Sequence, residues 1–169
     1  ILLPEKEIDI SKVQSIKLSI DIQRRKNIVR HHTATHLLHY ALREILGKHV
    51  HQKGSLVAPD RLRFDFTHIE PLTSEQISEV ERIANELVLE NYDAVIEELD
   101  IETAKKRGAM ALFGEKYGET VRTINVGPSM ELCGGTHVQS SGEIGQIRII
   151  NQASVGQGVR RIEAVAGLE

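Results

Sequence analysis

The sequence predicts an α+β fold in which a mixed or antiparallel sheet packs against helices. Three observations carry that expectation. A capping-box pattern, Thr73-Ser74-Glu75-Gln76, opens a segment whose apolar residues recur at helical spacing. Short alternating or β-branched stretches recur between turn-forming residues. The two kinds of segment interleave without the strict strand-helix-strand rhythm that a parallel sheet requires.

Taken in order, Ile16, Leu18 and Ile20 alternate with polar residues and read as a short half-buried strand. Asp21 suits a helix N-cap and Gly47 the residue past the end, giving a helix over 22–46. Val50 to Val57 and Arg61 to Thr67 read as a strand pair turned at Ala58-Pro59-Asp60. The second helix, Thr73 to Asn91, presents Ile77, Val80, Ile83, Ala84, Leu87 and Val88 on one face. Ala94 to Leu99 is a strand and Ile101 to Arg107 a short helix, whose Lys105-Lys106-Arg107 end is a solvated cationic terminus suited to the helix dipole. Met110, Leu112 and Phe113 read as core residues, and Val121 to Val126 as a strand. After a turn-rich stretch, Gly127 to Gly135, two closing strands run over Ile144 to Asn151 and Val159 to Val165.

The 169 residues suit a single domain, 40% hydrophobic and 27% charged, with a real core. No apolar run approaches the ~18 residues that span a bilayer, and no secretion signal opens the chain, so a cytoplasmic protein with no membrane partner is expected. A lone cysteine, Cys133, forbids an intrachain disulfide and fits a reducing compartment. Starting at Ile1 rather than Met, the chain is expected to be a fragment of something longer. A net charge of −3 argues against sequence-blind adhesion to nucleic acid. Aromatics at 4%, with no Trp, argue against a base-stacking platform. Histidine is the anomaly: six of the 8 lie between His31 and His51.

On the first helix His32 and His36 stand four residues apart, with their imidazoles on one face and His39 and Arg43 near the same arc. Ala34, Leu38, Ala41 and Ile45 lie opposite, so the alternative to a metal grip is a solvated polar face. A second pair, Cys133 and His137, flanks Gly134-Gly135-Thr136, where glycines permit a tight backbone. One thiolate and three imidazoles make a tetrahedral zinc set, placing the site between a long helix and a Gly-rich loop. The alternative for Cys133 is an ordinary buried thiol. No glutamate follows His32, which disfavours a metalloprotease, and no carboxylate is expected beside the metal. Four protein donors close a site, the structural pattern, whereas catalytic zinc keeps an open position; the sequence leaves both roles open.

These motifs resemble a known family. His32-Thr33-Ala34-Thr35-His36-Leu37-Leu38-His39, Gln52-Lys53-Gly54-Ser55, Leu62-Arg63-Phe64-Asp65-Phe66, Gly108 to Tyr117, Cys133 to His137 and Gly158-Val159-Arg160-Arg161-Ile162-Glu163-Ala164 are similar to the editing domain of alanyl-tRNA synthetases. Threonyl-tRNA synthetase editing modules share the Cys-to-His motif but typically carry Arg-Gly-Pro between the ligands. The doubled His31-His32, where the family often has Asn before the ligand, makes His31 a competing donor. The resemblance implies one editing domain over 1–169, with 1–20 a remnant of a preceding barrel-like subdomain and 21–169 the zinc-containing core.

What the resemblance further implies is deacylation of seryl- or glycyl-tRNA(Ala), with zinc held by His32, His36, Cys133 and His137. Thr35 and Gln52, with Cys133, would serve the chemistry; Thr35, Gln52, Gly54 and Ser55 would line the amino-acid pocket. The implied partners are the tRNA(Ala) acceptor end and the rest of the synthetase chain. Arg24, Arg25, Arg160 and Arg161 are the candidate phosphate contacts, a solvated charge run being the alternative. Glu163 is placed either beside an arginine or in solvent. Two rival functions remain, a free-standing deacylase and a non-catalytic zinc-stabilised RNA-binding module.

Overall fold

The computed structural model describes residues 14–15, 17–111 and 117–167. It is an α+β arrangement of three α-helices and two antiparallel sheets, so the mixed pairing allowed by the sequence is absent among the named strands. Helix α1 (Ile22–Leu46) opens where the Asp21 carboxylate accepts the Arg24 N–H at 2.9 Å, and ends at Gly47, whose φ of 110° turns the chain away. Helix α2 (Ser74–Leu89) has both halves of its capping box: Thr73 Oγ1 accepts from the Gln76 N–H, and Gln76 Oε1 from the Thr73 N–H. Helix α3 is the short Ile101–Lys106.

The larger sheet has the order β1-β2-β7-β6, built from Gln52–Val57, Leu62–Thr67, Val159–Ala166 and Ile147–Gly156 respectively. The smaller has the order β3-β4-β5, from Ala94–Asp100, Thr120–Val126 and Ser129–Leu132. Helix α1 touches β1, β2 and β7 of the first sheet, β5 of the second, and α2. It is therefore walled on nearly every side through its middle, where ten residues from His31 to Leu42 are buried. Leu37, Leu38, Leu42, Phe64, Phe66, Val80, Ile124 and Ile162 form the core around it.

The sequence expectations fail at four places. Leu18 and Ile20 form no strand and are 76% and 59% exposed, and none of the described strands pairs with them; Ile16 lies outside the described residues. Strand β5 was hidden in the turn-rich stretch, since a two-residue turn at Gly127-Pro128 returns the chain immediately beside β4. The sixth strand starts at Ile147, and Ile144 instead closes a 3-10 turn over Ser141–Ile144. Met110 is half-buried and lines a cavity rather than the core, bridging Glu131, while Leu112 and Phe113 lie outside the described residues.

Candidate metal centre

The walled middle of α1 brings His32 and His36 up against the loop that leaves β5. The ligand-capable atoms of His32, His36, Cys133 and His137 all lie within 4.8 Å of one another, forming a His/Cys group able to hold a metal ion. Cys133 Sγ stands 3.4 Å from His32 Nε2. In a tetrahedral site with bonds of ~2.0–2.3 Å, donor atoms sit about 3.3–3.8 Å apart, so this edge needs no rearrangement.

Each imidazole turns its other nitrogen outward. His32 Nδ1 meets the Thr136 carbonyl at 3.1 Å. His36 Nδ1 lies 2.8 Å from Glu131 Oε2, an ion-pair distance rather than an aligned hydrogen bond. His137 Nδ1 is 3.4 Å from Thr33 Oγ1. That hydroxyl donates to the Val29 carbonyl and accepts the Val138 N–H, so it is free to act only as acceptor toward His137. Meanwhile Nε2 of His36 and of His137 are buried without a hydrogen-bond partner. Buried polar atoms are almost always satisfied, so two orphans converging beside a thiol fit a metal ion.

The loop is built for this approach. Gly135 has no room for a side chain, since a Cβ there would overlap the His32 ring; a Cβ on Gly134 would meet nothing. Arg122 Nη1 donates to the carbonyls of Cys133 and Gly135, at 2.6 and 2.9 Å, and clamps the loop to β4. Burial alone would push the Cys133 thiol up, but the imidazoles of His137, His32 and His36 crowding its sulfur, with the Gly135 N–H, favour the thiolate and hold it down to about 3. Burial likewise opposes the charged forms of His36 and Glu131. Their mutual attraction wins, raising His36 to about 10 and lowering Glu131 to about 2. His137 is lowered, chiefly by burial.

Glu131 corrects the expectation that no carboxylate stands beside the site. It is 3% exposed, and its Oε1 accepts from His39 Nδ1 at 2.9 Å. The signal that could have found it is the strand period: in an extended segment residues 131 and 133 face the same side. Thr33 and Arg122 were also missed; Arg122 acts on backbone carbonyls, which leave no trace in sequence. The alternative of a solvated histidine face is likewise overturned, because His36 and His39 are 6% and 4% exposed.

Beside the histidines, on the far side of Glu131, lies a cavity of about 130 Å³ lined by His39, Arg43, His51, Gln52, Met110, Ala111 and Glu131. Gln52 reaches it from the end of β1, where the register slips between Gln52 and Gly54 and leaves Lys53 as an extra residue. Thr35 is buried, and its hydroxyl donates to the His31 carbonyl at 2.8 Å. His31 is occupied elsewhere: its Nδ1 donates to the Ala58 carbonyl at 2.9 Å, and burial lowers its pKa. Gly54 packs its backbone against Asp65, and Ser55 is exposed. Arg24 and Arg25 are exposed on the first turn of α1. Arg161 is paired with Asp65, which accepts from its Nε and Nη2 at 2.7 and 2.8 Å. Arg160, on the other face of β7, donates to Gln152 at 3.2 Å, and Glu163 stands 3.9 Å from Arg61.

A family model described as "Threonyl and Alanyl tRNA synthetase second additional domain" matches residues 121–163, a span holding Cys133 and His137 but not α1. The chain is similar to the alanine-tRNA ligase of Hydrogenovibrio crunogenus, 56% identical over 159 residues, which are 94% of this chain and 18% of that protein. It is similar also to that of Alkaliphilus oremlandii, 57% over 155 residues, 91% of this chain and 18% of that protein. For Natranaerobius thermophilus the figures are 55% over 148 residues, 88% and 17%. The chain thus spans under a fifth of the length of the relatives it matches. No helix among the described residues is long and apolar enough to cross a membrane.

Proposed function

We propose that this chain, which is similar to alanine-tRNA ligases over most of its length and matches the threonyl and alanyl tRNA synthetase second additional domain over residues 121–163, is a zinc-dependent editing module. It hydrolyses the ester of seryl- or glycyl-tRNA(Ala), with residues 21–169 as the editing core and 1–20 belonging to a preceding subdomain. The observation that carries this reading is the convergence of two orphaned histidine nitrogens and a thiolate-prone cysteine beside a small cavity. Zinc is the ion because one soft thiolate and three imidazoles suit it, and His32, His36, Cys133 and His137 hold it. When bound, it supplies Lewis-acid polarisation of oxygen at the ester end of the substrate.

The cavity supplies selection. At ~30 Å³ per water, about 130 Å³ holds roughly four waters or one small aminoacyl group. An alanine-accepting synthetic pocket admits glycine and rejects serine poorly, so a second, hydrolytic sieve must reward the hydroxyl. Gln52, with an amide donor and acceptor, meets that hydroxyl; alanine would leave the amide unpaired. Gly54 and Ser55 belong to the strand that carries Gln52, and Thr35 lies buried on α1 outside the cavity lining. Arg24, Arg25 and Arg160 take phosphates near the acceptor end, with Arg161 bracing β7 through Asp65. The remainder of the synthetase and tRNA(Ala) are the partners.

Four protein donors also suit a closed structural metal, which favours the rival reading of a zinc-stabilised RNA-binding module. Deacylation of seryl-tRNA(Ala) by metal-loaded and metal-stripped chain separates the two. The editing reading expects turnover from the loaded form; tRNA binding without turnover would establish the rival.

A further inference from the structure

We infer that Met110 is the size-limiting wall of the Gln52 cavity, the residue that separates a seryl ester from a threonyl one. This deepens the proposed deacylase reading and rests on it.

Threonine carries the same hydroxyl as serine, with one methyl beside it. A hydrogen bond from Gln52 to that hydroxyl cannot tell the two apart, so a pocket that read the hydroxyl alone would strip threonyl esters as well. Only volume distinguishes them. The cavity measures about 130 Å³. A methyl takes up close to the ~30 Å³ of a water, nearly a quarter of that space.

Met110 is placed to set this volume. Its N–H donates to the Met130 carbonyl at 2.9 Å and its carbonyl accepts the Leu132 N–H at 2.8 Å, a parallel bridge that fixes it opposite Glu131 on the edge of β5. Opposed residues of a bridge face the same side of a sheet, and both side chains line the cavity. The polar wall is already committed: Arg43 Nη1 donates to the carbonyls of Lys48 and Val50 at 3.0 and 2.7 Å, and Glu131 accepts from His39. Ala111 adds no more than a methyl. Among the described lining residues Met110 is thus the one large apolar side chain. Shortening it widens the cavity without deleting a side-chain hydrogen bond or touching a metal ligand. An unbranched thioether yields under pressure, which keeps the discrimination to that of one methyl, about ten- to two-hundredfold.

The test compares two esters in two variants. Met110→Ala should raise turnover of threonyl-tRNA(Ala) relative to seryl-tRNA(Ala) at least tenfold, with zinc content unchanged. Met110→Leu, of nearly the same volume, should keep the ratio within about threefold of wild type. An equal change on both esters in Met110→Ala, or the same shift of the ratio in Met110→Leu, overturns the inference. If Met110→Ala does not fold, Met110→Val, which removes less, decides with a shift of at least threefold. A wild-type chain that turns over neither ester sinks the deacylase reading, and the size role is then decided by binding of the non-hydrolysable 3′-amides of seryl- and threonyl-tRNA(Ala). A tenfold gain of the threonyl over the seryl amide in Met110→Ala upholds it; an equal change in both affinities, or no binding of either amide, overturns it.

Discussion

Gly135 lies so close beneath the His32 ring that any side chain at 135 would occupy the space of the imidazole, whereas its neighbour Gly134 faces open space. Gly135→Ala should therefore push His32 out of the cluster and cut metal content sharply, and Gly134→Ala should leave it near wild type. Atomic emission on the two purified variants checks this. Equal metal in both would mean that the loop is not held where the structure places it.

Removal of a ligand should separate from removal of a neighbour. Cys133→Ala should lose most of the metal, thiolate being the softest donor of the set. His31→Ala should retain it, because His31 spends its Nδ1 on Ala58 rather than on the cluster. The cost of His31→Ala should appear as a lower melting temperature, since it empties a buried position. A His31→Ala protein that lost metal while His32→Ala kept it would shift the ligand register on α1.

Thr33→Val preserves shape but removes the oxygen that faces His137 Nδ1 and the Val138 N–H. Stability should drop by about 1–3 kcal/mol through the unsatisfied N–H groups. Metal affinity should weaken with it, because the His137 ring loses its outer anchor. Urea unfolding and chelator competition on one preparation read both effects.

The metal-free protein should show a plateau in stability against pH. Cys133, lowered to about 3, contributes stability that is lost as pH falls from ordinary thiol values toward 3; Glu131, lowered to about 2, acts in the same sense below its usual 4.5. His31 and His137, held below 6.5 mainly by burial, add to the acid-side loss. His36, raised to about 10, works oppositely: its contribution is complete below 6.5 and fades as pH climbs through 10. Melting temperature should thus rise from acid to about pH 6.5, flatten to about pH 9, then fall. A steady rise up to pH 10 would contradict the His36–Glu131 pair.

Gln52→Ala should compress the ratio of seryl to alanyl hydrolysis by about ten- to a hundredfold, the value of one lost buried hydrogen bond, with metal content unchanged. Paired deacylation assays measure the ratio. An unaltered ratio would remove Gln52 from selection.

Local signals were readable in the sequence and enclosure was not. Asp21, Gly47 and the Thr73–Gln76 box delimit their helices because capping is settled by residues three or four apart. The His32, His36, Cys133 and His137 spacings were legible for the same reason, each pair lying within one turn or one loop. What α1 packs against depends on two sheets formed far along the chain, so its polar arc could not be told from a solvent face. Glu131 escaped notice because its partners, His36 and His39, lie about ninety residues away. Leu18 and Ile20 show the converse: alternation promises a strand only where a partner strand lies alongside, and none of the described strands does so here.

The enclosure of α1 also governs how the protein can open. Amide protons at His32 to His36 sit in a helix walled by both sheets and by α2, so exchanging them with solvent requires parting the core itself. Among the described residues the Gly134 to His137 arm has no such wall; Arg122, Thr33 and the His32–Thr136 contact are what tether it. Breathing is therefore lopsided. The helix half of the cluster stays assembled until the whole fold gives way, and the loop half is the door through which an ion enters or leaves.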